Sequence, residues 1–503
     1  MNRRGFIRTL GGAGLAVTAG RGVRAKLPRR SATARRNIIM LLTDDQRYDD
    51  LGCTGNPILR TPHIDSLARR GVLFCSSFVT SSICMASRAS YFTGRVERRH
   101  ACNFYYRNLA DTLWQESYPV LLRAAGYHTG FIGKFGVRVD GYPSGLPASD
   151  FDSFNGFGGQ GDYFPEDEDG PHMTGIMADQ AIRFLRNCGE SDKPFCLSIS
   201  FKAPHLPLAP DPAYTSWYDD LEPAENPNVR FEELAGLPPA YGEAAWYPRL
   251  IYRQHFTTRQ DRSQFIAQRY RLIAGLDAAV GRILAELDKL GLADDTAIIF
   301  ASDNGYYYGE HGLATKFYMH EESIRVPLIV FDPQLPSSRR GAKVQELVAN
   351  VDVAPTICRL AGLTPPDGMQ GRSVLPLLRG DCVDWRKVVF CESIVKERRP
   401  MCDAIRTKRW KYIQLFEQDP VQEELYELEK DPYELRNLAA IPQCEDTLTA
   451  LREALQELRV AYSGDPTGFP SWIRTQRENT ANWQGYRKRY LNLVDAKNEV
   501  VGP

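Results

Sequence analysis

Short, continuously apolar runs recur along the chain, and the polar residues that end them are acids, amides, lysine or histidine. The first is Asn37-Ile38-Ile39-Met40-Leu41-Leu42, which stops at Thr43-Asp44-Asp45. A run this short and apolar throughout predicts a strand buried on both faces of a parallel sheet. Phe131-Ile132-Gly133 leads into Lys134, and Phe195 to Phe201 runs into Ala203-Pro204-His205. Ala297 to Phe300 ends in Ser302-Asp303-Asn304-Gly305, and Val326 to Phe331 is one more strand. Helical signals lie between them. Thr61 as N-cap, Pro62 at the first helical position and Gly71 after the last turn bracket a short helix. Tyr118 to Ala125 reads as a helix stopped by Gly126, Met173 to Cys188 has helical periodicity, and a long helix runs from about Ser263 to Leu290. Residues 206–260, rich in Pro, Tyr and Trp, read as an irregular insertion. This alternation predicts an α/β fold with a large, mostly parallel sheet flanked by helices on both faces.

The pattern changes near residue 386. Val388 to Phe390, Met401 to Arg406, Trp410 to Gln414 and Leu425 to Leu428 are short strands with brief connections, followed by a helix near 445–461. They predict a smaller C-terminal antiparallel-sheet domain packed by a helix. At the other end, Arg3-Arg4-Gly5-Phe6-Ile7-Arg8 followed by the Gly/Ala-rich stretch Leu10 to Gly20 has the form of a twin-arginine signal. The expected organisation is a signal peptide and linker over 1–35, a catalytic α/β domain over 36–385 and an α+β subdomain over 386–503. Twin-arginine export carries folded proteins, so the expected location is the periplasm or the exterior.

Composition narrows the partners. Lys+Arg and Asp+Glu number 62 each among 503 residues, and a neutral chain without a dense basic block argues against nucleic acid. No apolar run reaches the roughly 18 residues that span a bilayer. The eleven cysteines show no Cys-x-x-Cys pair or zinc spacing and read mostly as buried free thiols. Cys382, Cys391 and Cys402 are near enough in sequence to pair.

Ligands of open α/β sheets collect at the carboxyl ends of the strands. Asp44 and Asp45 lie at one such end, Asp303 and Asn304 at another. Three carboxylates and an amide form an all-oxygen set that suits Ca²⁺ or Mg²⁺ and argues against zinc. Either pair alone reads equally as a loop acid capping a helix; the two together favour a cation. Cys84-Met85-Ala86-Ser87-Arg88 has the form of a cysteine marked for oxidation to formylglycine: a cysteine, a small residue two places on, then Ser-Arg. Arg88 follows Cys84 by about one helical turn. Lys134 and Lys316 add cations that would stabilise charge developing on an oxyanion. His205, between two prolines, is a candidate proton donor.

In these segments the chain resembles the type I, formylglycine-dependent sulfatases of the alkaline phosphatase superfamily, most of all the bacterial glycan sulfatases. The residues that carry the resemblance are Leu42-Thr43-Asp44-Asp45-Gln46, Thr61-Pro62-His63-Ile64-Asp65, the Cys84 to Ser90 stretch, Thr93-Gly94, Gly126-Tyr127 through Gly133-Lys134 and Ala203-Pro204-His205. Ser302 to Gly305, Gly309 to Leu313, Lys316, Glu321 to Pro327 and Leu425 to Leu428 extend it in order to about residue 440. The resemblance implies one Ca²⁺ held by Asp44, Asp45, Asp303, Asn304 and modified Cys84. It implies a sulfate clamp of Arg88, Lys134 and Lys316, and a leaving alcohol protonated by His205 or Lys316. A hydrated formylglycine would attack sulfur through one hydroxyl and release sulfate through the other. It also implies a formylglycine-generating enzyme acting before export and a sulfated saccharide as substrate.

The chain departs from the family at two points. Ala86 stands where proline is usual. Gly136 stands where a histidine usually follows two residues after the lysine that matches Lys134, which leaves His100 or His311 as replacement bases. Two other readings stay open: a phosphodiesterase or phosphonate monoester hydrolase on the same fold, and a silent glycan-binding homologue. Glu166-Asp167-Glu168-Asp169 reads as a solvated acidic loop. Tyr306-Tyr307-Tyr308 reads as either a sugar platform or packing. His63 and His128 read as structural.

Overall fold

The structure, a computed structural model, describes residues 35–167, 169–229, 237–243, 246–395 and 400–478. The twin-arginine segment lies outside the described residues. Eight strands form the main sheet: β1 Asn37–Thr43, β2 Val72–Phe74, β3 His128–Lys134, β4 Ser153–Phe157, β5 Phe195–Ser200, β6 Thr296–Ser302, β7 Leu328–Phe331 and β8 Ala342–Val344. Their order is β8-β2-β7-β6-β1-β5-β3-β4. All pairings are parallel except those of β7, which runs antiparallel to β6 and β2. That exception has a simple cause. The chain leaves β6 at the carboxyl edge and stays there through residues 303–327 without a crossover helix, so it re-enters the sheet running backwards.

β1 is buried along its whole length, as its apolar run requires. One face of the sheet packs through Met40, Phe131, Ile299 and Val330 against Trp114, Leu122 and Ile357. The other packs through Ile39, Leu41, Leu197 and Phe300 against Met177, Leu185, Leu276 and Ile283. The helices involved include α1 Pro62–Arg70, α3 Met173–Gly189 and the long α4 Arg259–Lys289. α2, Cys84–Thr93, is buried at every position. Thr61 does sit at the N-cap of α1, but its hydroxyl donates to Asp65 (2.9 Å). The first-turn N–H groups of His63 and Ile64 are instead capped by Asp277 of α4, at 3.1 and 2.8 Å. Such a cap stabilises a helix by about 1 kcal/mol.

The insertion is less irregular than its composition suggests, since Trp246–His255 is helical. The C-terminal sheet is antiparallel in the order β9 Val388–Ser393, β10 Cys402–Thr407, β11 Trp410–Leu415, β12 Gln422–Glu427. Helix α5, Glu445–Ser463, covers one face through Leu448, Leu451 and Leu455. The other face shares a core with Phe78, Tyr307, Tyr318 and Ile324. The change at residue 386 is therefore a change of sheet within a shared core. Arg98 reinforces the junction, with a fork on Asp403 (2.7 and 2.8 Å) and a bond to Glu392 (3.0 Å). All eleven cysteines are free thiols. The register sets Cys391 opposite Ala404 and Cys402 opposite Ser393, so those two do not pair.

Candidate active site

Four neighbouring parallel strands, β6-β1-β5-β3, end at one edge of the sheet. Their carboxyl ends carry Asp303-Asn304, Asp44-Asp45, Ala203-Pro204-His205 and Lys134 respectively. Two turns need special backbone geometry. Gly305 lies where a Cβ would come 2.1 Å from the Glu322 carbonyl oxygen, so only glycine fits. Asp45 adopts φ +67°, a strained conformation for a residue with a side chain. It is held there by its N–H donating to Asp303 Oδ1 (3.1 Å) and by Arg269 donating to its carbonyl.

The charges interlock. Lys134 Nζ donates to Asp44 Oδ2 and to Gln160 Oε1 (2.6 Å), and Lys316 Nζ donates to Asp45 Oδ1. Arg88 Nε donates to Asp303 Oδ2 (2.8 Å), its Nη1 to the Lys134 carbonyl (2.8 Å), and its Nη2 lies 3.4 Å from Asp44. Burial would raise the Asp44 carboxyl, but Lys134, His205, Arg88 and Lys316 outweigh it and hold it well below the usual range. Burial likewise opposes the charge on Lys316, yet Asp45, Cys84, Asp44 and Asp303 keep it an ammonium beyond its ordinary range. Asp303 is the least compensated. Burial and the Asp44 charge push it up to about 6 despite Arg88, Lys316 and Lys134.

Cys84 opens α2 and is buried. It lies within electrostatic reach of Arg88 and of Lys316. The thiol carbon thus sits at a helix N-terminus, whose free N–H groups favour anions. Ala86 packs against Ile83, Phe317 and Val395.

The donor set fits a hard cation. Asp44 Oδ1 and Asn304 Oδ1 are buried oxygens without a hydrogen-bond partner, and buried polar atoms are rarely left so. Oxygens of Asp44 and Asp45 and a ring nitrogen of His205 lie within 4.8 Å of one another. Three carboxylates, of which Asp303 is undercompensated, and an amide oxygen suit Ca²⁺ chemistry.

His205 Nδ1 lies 2.5 Å from the Leu206 carbonyl. A carbonyl only accepts, so Nδ1 carries the hydrogen, and Nε2 faces Asp45 Oδ2 at 3.6 Å. Burial pulls the ring down to about 4, against Asp44 and Asp45. Asp44, Asp45, Arg88, Lys134, His205, Asp303, Asn304 and Lys316 are therefore gathered at one edge, around Cys84. The replacement bases are not among them. His100 accepts from the Cys102 N–H (3.0 Å), faces Ser90 Oγ (3.2 Å), and burial pulls it down to about 3. His311 belongs to a separate ionic network: Nε2 is 3.7 Å from Glu322, while Glu434 pairs with Lys411 at 2.7 Å and Lys411 with Glu321 at 2.9 Å. His63 packs on Gly281, where a Cβ would touch its ring at 2.6 Å.

Sequence reasoning missed Arg269, Lys202, Tyr163 and Gln160. Arg269, mid-way along α4, donates to Asp45 O, to Pro204 O (3.1 Å) and to Tyr308 Oη (2.8 Å), with Tyr306 against its guanidinium at 4.4 Å. It ties the loops after β1 and β5 together, and it settles the tyrosine cluster as packing, since Tyr306, Tyr307 and Tyr308 are all buried.

Comparison with known proteins gives the family and the fold. The family model described as Sulfatase covers residues 36–363, and one described as N-sulphoglucosamine sulphohydrolase, C-terminal, covers residues 309–461. The chain is 29% identical to an N-acetylglucosamine-6-O-sulfatase of Bacteroides thetaiotaomicron, over 87% of this chain and 89% of that one. A protein solved in complex with its substrate D-glucosamine-2-N,6-O-disulfate superposes with a TM-score of 0.73 at 26% identity, covering 87% of this chain and 100% of that one. A phosphonate monoester hydrolase of Agrobacterium radiobacter gives 0.69 at 24% identity, over 85% and 96%, a likeness of fold alone.

Proposed function

The chain belongs to the sulfatase family, and from that premise we propose that it hydrolyses a sulfate ester of a carbohydrate, with the 6-sulfate of a glucosamine residue as the first candidate. The convergence of Asp44, Asp45, Asp303, Asn304, Lys134, Lys316 and His205 on the surroundings of Cys84 is the observation that carries the reading. The glucosamine assignment is supported by the named activity of the Bacteroides relative and by the ligand of the solved structure.

Oxidised to formylglycine and hydrated, Cys84 supplies the attacking hydroxyl and the second hydroxyl that expels sulfate. Asp44, Asp45, Asp303 and Asn304 would hold a calcium ion, which would supply Lewis-acid charge to the reaction. The protein's own groups do the rest. Lys134 and Lys316 are fixed ammoniums at the sheet edge, ready for charge that grows on the ester oxygens as the S–O bond breaks. Lys316, an ammonium that donates to Asp45 Oδ1, is the alternative donor to the leaving oxygen. His205, with Nδ1 committed to Leu206, presents Nε2 to the leaving alcohol oxygen and protonates it there. For this the ring takes a second proton in the substrate complex. The Arg3-Arg4 segment supports export as a folded, already modified protein.

The test is turnover of N-acetylglucosamine 6-sulfate by protein made with a formylglycine-generating enzyme, against matched phosphate and phosphonate esters. Sulfate release exceeding the others is expected. Faster phosphonate or phosphodiester hydrolysis would replace this reading with the second one on the same fold.

A further inference from the structure

Lys202 is a buried ammonium without a counter-ion. It is 1% exposed, and no carboxylate of the described residues lies within ion-pair distance. Its direct partners are the Leu206 carbonyl, at 3.2 Å from Nζ, and the face of Tyr163, at 4.8 Å from the ring centre. Lys134 opposes its charge, while Asp44, Asp162 and Asp45 favour it from further away; burial pulls it down to about 8. A buried charge with no direct ion pair is costly, so its partners show what it is kept for.

Both lone pairs of the Leu206 carbonyl are filled, one by Lys202 Nζ and the other by His205 Nδ1. The His205 N–H donates to the Lys202 carbonyl at 2.9 Å. Tyr163 Oη donates to the His205 carbonyl at 2.8 Å, and the Tyr163 ring is itself stacked on His172 at 5.1 Å. Lys202 and Tyr163 therefore hold the acceptor of the imidazole, both ends of its peptide unit and, through them, the direction of Nε2.

We propose that Lys202, braced by Tyr163, is a positioning residue for His205: it fixes the Leu206 carbonyl so that Nε2 points at the leaving alcohol oxygen. The inference rests on the sulfatase reading and on His205 as the proton donor. It makes a prediction that a general structural role does not. A sugar alcohol must be protonated as it leaves, whereas 4-nitrophenolate leaves unprotonated. Misaiming Nε2 thus slows the sugar ester and spares the aryl ester.

The experiment compares kcat on N-acetylglucosamine 6-sulfate and on 4-nitrophenyl sulfate for the full chain, Lys202→Met and Tyr163→Phe. Lys202→Met removes the charge and the hydrogen bond while keeping bulk. Tyr163→Phe keeps the ring and removes only the hydroxyl. The expected result is a fall of about 10–100-fold in kcat on the sugar ester, with KM changed little, and aryl ester turnover within about threefold of wild type. Equal losses on both esters, or no loss on either, in both variants would overturn the proposal. Wild-type protein inactive on both esters would remove the functional reading, and this inference with it.

Discussion

Gly136 lies against Arg88: a Cβ at position 136 would come 2.4 Å from Arg88 Cδ, and the backbone there has φ +70°. The histidine usual at this place in the family has no room here. The space is taken by the arginine that braces Asp303, Asp44 and the Lys134 carbonyl.

Restoring the family residue should therefore harm this protein. Gly136→His would force Arg88 off Asp303 and adopt an unfavourable backbone, costing about 1–3 kcal/mol. Turnover should fall at least about tenfold. Thermal denaturation and steady-state kinetics check both. A variant more active than wild type would mean that the missing histidine limits this enzyme.

The orphaned Asp44 and Asn304 oxygens predict dependence on a divalent cation. Chelation followed by gel filtration should abolish turnover and lower the melting temperature by several degrees, since a cation bound only by the folded state stabilises it by mass action. Ca²⁺ should restore both and Zn²⁺ should not. Metal-free protein, verified by elemental analysis, with unchanged turnover would remove the cation from the account.

Acid should loosen the junction between the catalytic edge and the small sheet. Burial alone would raise the Glu321 carboxyl, but Lys411, Arg406 and Arg325 outweigh it and hold it well below its ordinary 4.5. Glu322 is drawn down to about 2 in the same way, by His311, Arg47 and His320 against burial. Carboxyls depressed in the folded state contribute stability that is full above their unfolded pKa and lost as pH falls through the folded one. Wild type should therefore lose stability steeply below about pH 4.5. Glu321→Gln should be less stable at neutral pH by about 3 kcal/mol and show a shallower acid slope. Parallel melting curves across pH for the two proteins would contradict this.

The candidate edge was legible because apolar segments stop abruptly at a polar residue: Leu42 before Asp44, Ile132 before Lys134, Phe300 before Asp303. A strand signal and a polar stop are local, so sequence carries them. Sheet direction is not local. Nothing in Leu328–Phe331 says that it runs backwards; that follows from a return at the carboxyl edge with no crossover. The supports of the site were hidden for the same reason. Arg269 lies on a helix 224 positions from Asp45, and Lys202 looks like any lysine until the fold buries it. The small sheet was readable in its strands, but its shared core with Phe78 and Tyr318 was not, because both faces are apolar for different partners.

The central claim is that Cys84 acts only as an aldehyde. Its most direct test is the fraction of formylglycine at position 84, measured by peptide mass spectrometry, against kcat across preparations made with and without a formylglycine-generating enzyme. The account predicts that kcat rises in proportion to that fraction and extrapolates to zero for the unmodified thiol, as it should for Cys84→Ala. Full turnover from protein whose Cys84 peptide carries only thiol would contradict it.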